Sequence, residues 1–163
     1  MSAGREGRHA QRPATKEVFY RFSIIAQGGA DLYAVGGHSG IRVDANAEYA
    51  YCECYLPHDF KKLIEATVVF LSLATLTPMT FRVVTDWCQA EANYFQHNNL
   101  INYSVATVLN RVQGRDISSA LITLGGTAGL QAKDYLGVQV SSQAGPPAQN
   151  TNAMFLGVRI KYK

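Results

Sequence analysis

From Val18 onward the chain is a succession of short segments rich in β-branched and aromatic residues, each closed by glycine, proline or asparagine. Apolar and polar residues alternate within them, the period of a half-buried strand. The spacing of three and four that marks an amphipathic helix surfaces in a single stretch. This pattern disfavours a doubly wound α/β fold and leads to an antiparallel sandwich or jelly roll. A length of 163 residues suits one domain whose core needs no disulfide staples.

Residues 18–26 (VFYRFSIIA) read as a strand closed by Gly28-Gly29, and Gly36-Gly37 with Ser39-Gly40 mark a loop before a short strand at 41–43. Residues 48–56 (EYAYCECYL) form a clearer strand, with Tyr49, Tyr51 and Tyr55 on one face and Ala50, Cys52, Cys54 and Leu56 on the other. Both faces are largely apolar, so this strand is expected between the core and a second buried surface. Pro57-His58-Asp59 breaks it, and Asp59 is placed to cap a turn over 61–65. The most apolar segment, 67–76, reads as a central strand ended by Pro78 and paired as a hairpin with 80–85 (TFRVVT). Residues 86–98 carry the helical rhythm, with Trp87, Ala90, Glu91, Tyr94 and Phe95 on one face behind Asp86 as N-cap. Residues 103–110 alternate again, and 116–124 form a capped helical turn stopped by Gly125-Gly126.

An internal echo closes the chain: 135–140 (YLGVQV) and 155–160 (FLGVRI) share the order aromatic, Leu, Gly, Val, polar, β-branched. In each, the Leu, the Val and the β-branched residue are expected on one face, and the glycine marks a bulge or the close approach of another chain. Between them 141–152 is a polar, Pro- and Gly-rich loop. The expected fold is all-β: an antiparallel β-sandwich or jelly roll over 18–163, with one or two short helices, behind an extended N-terminal arm over 1–17.

Charge separates the two parts. Residues 1–21 hold Arg5, Arg8, Arg12, Lys16 and Arg21 against Glu6 and Glu17, which accounts for the whole net charge of +3, and the body is neutral. Charged residues make up 17% of the chain, below the ~25% of ordinary domains. The arm has no apolar periodicity of its own and is expected to lie on a neighbouring subunit. Its few cations neutralise few phosphates, and stacking aromatics begin only at Phe19, so tethering is favoured over genome contact. The polar start lacks the apolar run of a secretory signal, and the longest apolar run, 66–76, falls short of the ~20 residues of a membrane span. With Cys52, Cys54 and Cys88 odd in number, synthesis in a reducing cytoplasm is expected.

From residue 56 to the end, the order of elements resembles the C-terminal β-sandwich modules of phage and environmental viral virion proteins, themselves similar to the tumour-necrosis-factor and C1q jelly roll. The residues carrying the resemblance are Pro57-His58-Asp59-Phe60 with Leu63-Ile64-Glu65-Ala66, Ala90-Glu91-Ala92-Asn93-Tyr94, Asp116-Ile117-Ser118, Lys133-Asp134-Tyr135-Leu136-Gly137-Val138 and the C-terminal 155–162. It implies a homotrimeric or lattice-building structural module without a catalytic signature. The basic arm and the strand over 49–55 depart from that pattern.

The search for chemistry agrees with a non-enzyme. Cys52 and Cys54, with His38, His58, His97 and Cys88 as candidate partners, are the one metal-like pair. Structural zinc sites draw such pairs from turns at roughly two- to four-residue spacing, so two core-facing thiols are favoured and no metal is expected. His58-Asp59 with Glu65 is the candidate acid–base group. Cys88 and His97 would fall on opposite sides of a helix. No G-x-S-x-G, P-loop, H-E-x-x-H or dinucleotide fingerprint occurs, and no cofactor is expected.

The expectation is therefore a non-enzymatic virion structural protein of a phage-like virus, a capsid, capsid-decoration or fibre subunit made in the host cytoplasm. Its partners are copies of itself, as a homotrimer or larger symmetric assembly, and other virion proteins. Tyr49, Tyr51, Tyr55 and Trp87 are the expected interface residues, and Arg5, Arg8 and Arg12 the arm contacts. The alternative is a lectin-like, carbohydrate-binding module using the tyrosines and the 141–152 loop.

Overall fold

The computed structural model describes residues 14–23, 30–45, 48–76, 78–88, 98–119, 121, 129–142 and 151–163. They form ten strands: β1 (Lys16–Arg21), β2 (Asp31–Val35), β3 (His38–Val43), β4 (Tyr49–Tyr55), β5 (Leu63–Ser72), β6 (Met79–Cys88), β7 (Asn98–Val105), β8 (Val112–Asp116), β9 (Tyr135–Ser142) and β10 (Ala153–Tyr162). Two antiparallel sheets stack as a sandwich. One runs β2-β3-β10-β5-β8 with β1 also on β10, and the other runs β4-β9-β6-β7. From β3 to β10 the chain passes to the opposite sheet at every connection except β6–β7, the wrapping of a jelly roll.

The core sits where the strands' inward residues meet. Phe70 and Phe155 from the larger sheet and Phe81 from the smaller are fully buried, with ring centroids 5.4–5.7 Å apart. Burying such a side chain contributes about 1.5–3 kcal/mol, and each well-placed ring pair adds about 0.5–1.5. This triad also corrects the hairpin expected between 67–76 and 80–85. Phe70 and Phe81 face each other across the core, so their strands belong to opposite sheets. Accordingly β5 pairs with β10 and β8, and β6 with β9 and β7.

β10 organises the larger sheet. β5 lines one edge of it; β3 pairs with Ala153–Phe155 and β1 with Gly157–Tyr162 on the other. A bulge between Phe155 and Gly157 rephases the strand, so Phe155, Val158, Ile160 and Tyr162 point inward and Leu156 leaves the core. The echo therefore holds for β9, where Leu136, Val138 and Val140 are all buried, but not for Leu156. Gly157 carries the close approach that its position suggested. A Cβ there would run into the Tyr20 carbonyl oxygen and lie 2.6 Å from the Phe19 ring.

Other elements begin or end elsewhere than the pattern indicates. β1 starts at Lys16, inside the arm as drawn, and Lys16 pairs with Asp59; residues 1–13, with Arg5, Arg8 and Arg12, lie outside the described residues. Ser39 and Gly40 belong to β3, and Gly36-Gly37, with Gly36 at φ 57°, is the two-residue turn joining it to β2. The turn after β4 is His58-Asp59, closed by Phe60 N donating to Pro57 O at 3.0 Å, and β5 already begins at Leu63. Asp86, Trp87 and Cys88 are not helical: their ladder with Gly137, Leu136 and Tyr135 extends β6, and residues 89–97 lie outside the described residues. The capped turn at 116 is present. Asp116 Oδ1 accepts from Ser118 N at 2.8 Å, and Leu121 N donates to Ile117 O at 3.3 Å. Of the 141–152 loop, Ser141 and Ser142 continue β9, Thr151 is buried, and 143–150 lie outside the described residues.

Candidate functional site

The outer face of the four-stranded sheet carries the tyrosines. Along β4 the alternation is complete: Ala50, Cys52 and Cys54 are buried in the core, while Tyr49 and Tyr51 are half-buried and Tyr55 exposed on the outside. The strand register extends this face across the sheet. Tyr51 stands beside Gln139, Val84 and Leu100 in one row, and Tyr55 beside Tyr135 and Cys88 in another. Leu100 and Tyr135 are 46% and 50% exposed, unusual for large apolar side chains on a sheet whose other face is fully packed. Ring centroids lie 6.2 Å apart for Tyr49–Tyr51 and 5.1 Å for Tyr55–Tyr135. Partial burial beside Tyr49 pushes the Tyr51 phenol up. In the row of Tyr49, which continues through Ser141, the Arg82 guanidinium donates to Asn102 Oδ1 at 3.2 Å.

Trp87, expected with the tyrosines, is on the other side. It pairs in register with Leu136, which pairs with Cys54, and all three face the core; Trp87 is 3% exposed and has no surface to offer a partner. Its place in the chain suggested a helix face, whereas the period of two along β6 turns it inward. Tyr135 and Leu100 were missed. Tyr135 opens the first copy of the echo, and its outward parity follows from Leu136 pointing in.

At the β4 end of this face a cleft of about 330 Å³ opens, lined by Tyr20, Glu53, Cys54, Tyr55, Cys88, Tyr135, Leu136 and Gly137. The Tyr20 hydroxyl donates to the Tyr55 carbonyl and ties β1 to β4, and burial pushes the Tyr20 phenol up to about 12. Cys52 and Cys54 Sγ are 3.6 Å apart, and their shared hydrogen bond together with burial pushes the Cys54 thiol well up. Both are free thiols, as is Cys88. Among the described residues no three His, Cys, Asp or Glu side chains gather as a metal centre requires.

The carboxylates considered for acid–base work are held by cations. Asp59 accepts from Lys16 and from the Tyr162 hydroxyl, and Lys16 pulls its carboxyl below the usual range. Glu65 accepts from Thr67 Oγ1, Arg159 and Lys161 at 2.7, 2.7 and 2.9 Å, which lowers its carboxyl to about 2. Neither is tuned to take a proton near neutrality. His38 lies in β3 and His58 in the turn after β4.

No helix among the described residues is long and apolar enough to cross a membrane. The chain matches no protein-family model and no curated protein sequence.

Proposed function

We propose that this chain is a non-enzymatic structural subunit of a virion, self-assembling through the outer face of the four-stranded sheet and anchored by its N-terminal arm. The observation that carries the reading is the outer face bearing exposed Tyr55, Leu100 and Tyr135 with half-buried Tyr51, on a sheet whose opposite face is already packed. Aromatic residues dominate interface energetics, and depletion of charge accompanies interface cores. The jelly-roll wrapping supports the likeness to trimeric virion modules of the tumour-necrosis-factor and C1q type.

Area decides what else is needed. Four strands spaced about 4.8 Å apart and about seven residues long present roughly 450 Å² of projected surface, near half of the ~800 Å² per partner of a standard interface. The sheet face is therefore one component of the contact, and the arm supplies the rest. Because β1 begins at Lys16, the arm can be removed without touching the sheet by deleting 1–13. Sedimentation should show the full chain as a multimer, with assembly weakened by that deletion and by Tyr55→Ser combined with Leu100→Ser. Glycan-array binding by a monomeric chain would instead favour the lectin-like reading, and an unchanged mass in both variants would reject the proposed seam and tether.

A further inference from the structure

The cleft at the end of β4 is walled by Tyr20 from one sheet and Tyr55 and Tyr135 from the other, with Glu53 on the same outward face as Tyr55. The Tyr55 and Tyr135 rings lie 5.1 Å apart at 55°, so they present a corner rather than a slab. A sugar stacks one C–H face of its puckered ring on one aromatic plane, whereas a compact cation takes attraction from several faces at once, since each aromatic face carries negative potential. Glu53 supplies a full negative charge at the rim, and among the described residues no Lys or Arg pairs with it. Cys88, beside Tyr135 in register, adds a weakly polar wall, and the volume of about 330 Å³ lies at the small end of ligand pockets.

We propose that this cleft binds an organic cation, an alkylammonium or guanidinium group, against Tyr55 and Tyr135 with Glu53 as its counter-ion. The inference does not rest on the assembly reading, but the cleft shares Tyr55 and Tyr135 with the proposed assembly face, so a bound cation and a copy seated on that face would compete for the same two rings. Two sources carry that chemistry: a free alkylammonium compound, and the arginines of another copy's arm, Arg5, Arg8 and Arg12.

The test is a calorimetric titration of the full chain with choline, with its uncharged isostere 3,3-dimethylbutan-1-ol, with glucose, and with a peptide of residues 1–16. Choline should bind roughly five- to thirty-fold more tightly than the alcohol, the range a cation–aromatic contact supplies. That preference should fall in Glu53→Gln and in Tyr55→Leu, and persist in Tyr55→Phe, which keeps the ring. Circular dichroism confirms that each variant is folded. Tighter binding of the peptide than of choline assigns the site to a neighbour's arm; choline binding without peptide binding assigns it to a small molecule. Equal binding of choline and the alcohol, preference for glucose, or no binding of choline or peptide would overturn the proposal, and none of these outcomes bears on particle mass.

Discussion

Replacing Gly157 by alanine tests the joint between the arm and the body. The new Cβ would meet the Tyr20 carbonyl oxygen and lie 2.6 Å from Phe19 Cζ and 2.7 Å from Phe19 Cε1. The ring can swing aside, but the carbonyl belongs to backbone already registered with Val158, so β1 as a whole must lift from β10. Overpacking of this kind costs about 1–3 kcal/mol, and partial loss of the contacts of Phe22, Val18 and Tyr20 brings the expected total to about 2–4 kcal/mol. For a chain of this length that lowers the melting temperature by roughly 5–15 °C. Gly114→Ala is the control: its Cβ would meet only the Thr67 Cγ2 methyl, at 2.7 Å, and β8 is an edge strand that can give outward without lifting a strand seated on β10, so its loss should be smaller than that of Gly157→Ala. Urea unfolding followed by circular dichroism measures both. Equal midpoints for Gly157→Ala and wild type, or a larger loss in Gly114→Ala, would refute the claim that Gly157 exists to admit β1.

Three further outcomes follow from the same geometry. Glu65 titrates near 2 when folded against an ordinary 4.5, so the stability it contributes is present above about pH 4.5 and lost as pH falls toward 2. With its side chain 33% exposed, solvent screening holds this to about 1 kcal/mol, and Glu65→Gln should flatten the acid limb of a stability–pH curve by that amount. Phe81→Ala removes the smaller sheet's contribution to the ring triad and should cost about 3–5 kcal/mol in denaturant titration; a loss below about 1 kcal/mol would show that the sheets are not joined there. Cys52 and Cys54 are each 1% exposed, so a thiol reagent should label both only as fast as the protein opens, and rapid labelling of the native chain would contradict their placement in the core.

The sequence carried the faces of the strands more fully than their partners. In β4 and β9 a strict period of two sorted tyrosine from cysteine and Leu136, Val138 and Val140 from their neighbours, because one face of each strand meets an apolar core. That same period says nothing about which strand lies alongside, so β5 and β6 looked like a hairpin until the Phe70–Phe81 contact placed them on opposite sheets. Leu156 was misassigned because a bulge inserts a residue without changing the composition around it. β2 escaped notice for a different reason: all but Val35 of its residues are exposed, with Leu32 at 70%, so no core imposes alternation on it. At the candidate site the tyrosines of β4 were legible from parity alone. Glu53 shares the outward face of Tyr55 by the same parity, whereas Tyr20 and Tyr135 join them only through the crossing of β1 and the pairing of β4 with β9, which one-dimensional patterns do not contain.

The claim that the tyrosine face is an assembly surface is tested most directly by the mass of the native chain in solution. Mass photometry or equilibrium sedimentation of the full protein should give a symmetric multimer, dissociating when Tyr55 and Leu100 are replaced by serine while the circular dichroism spectrum is unchanged. A folded monomer at micromolar concentration, or a multimer indifferent to those substitutions, would contradict it.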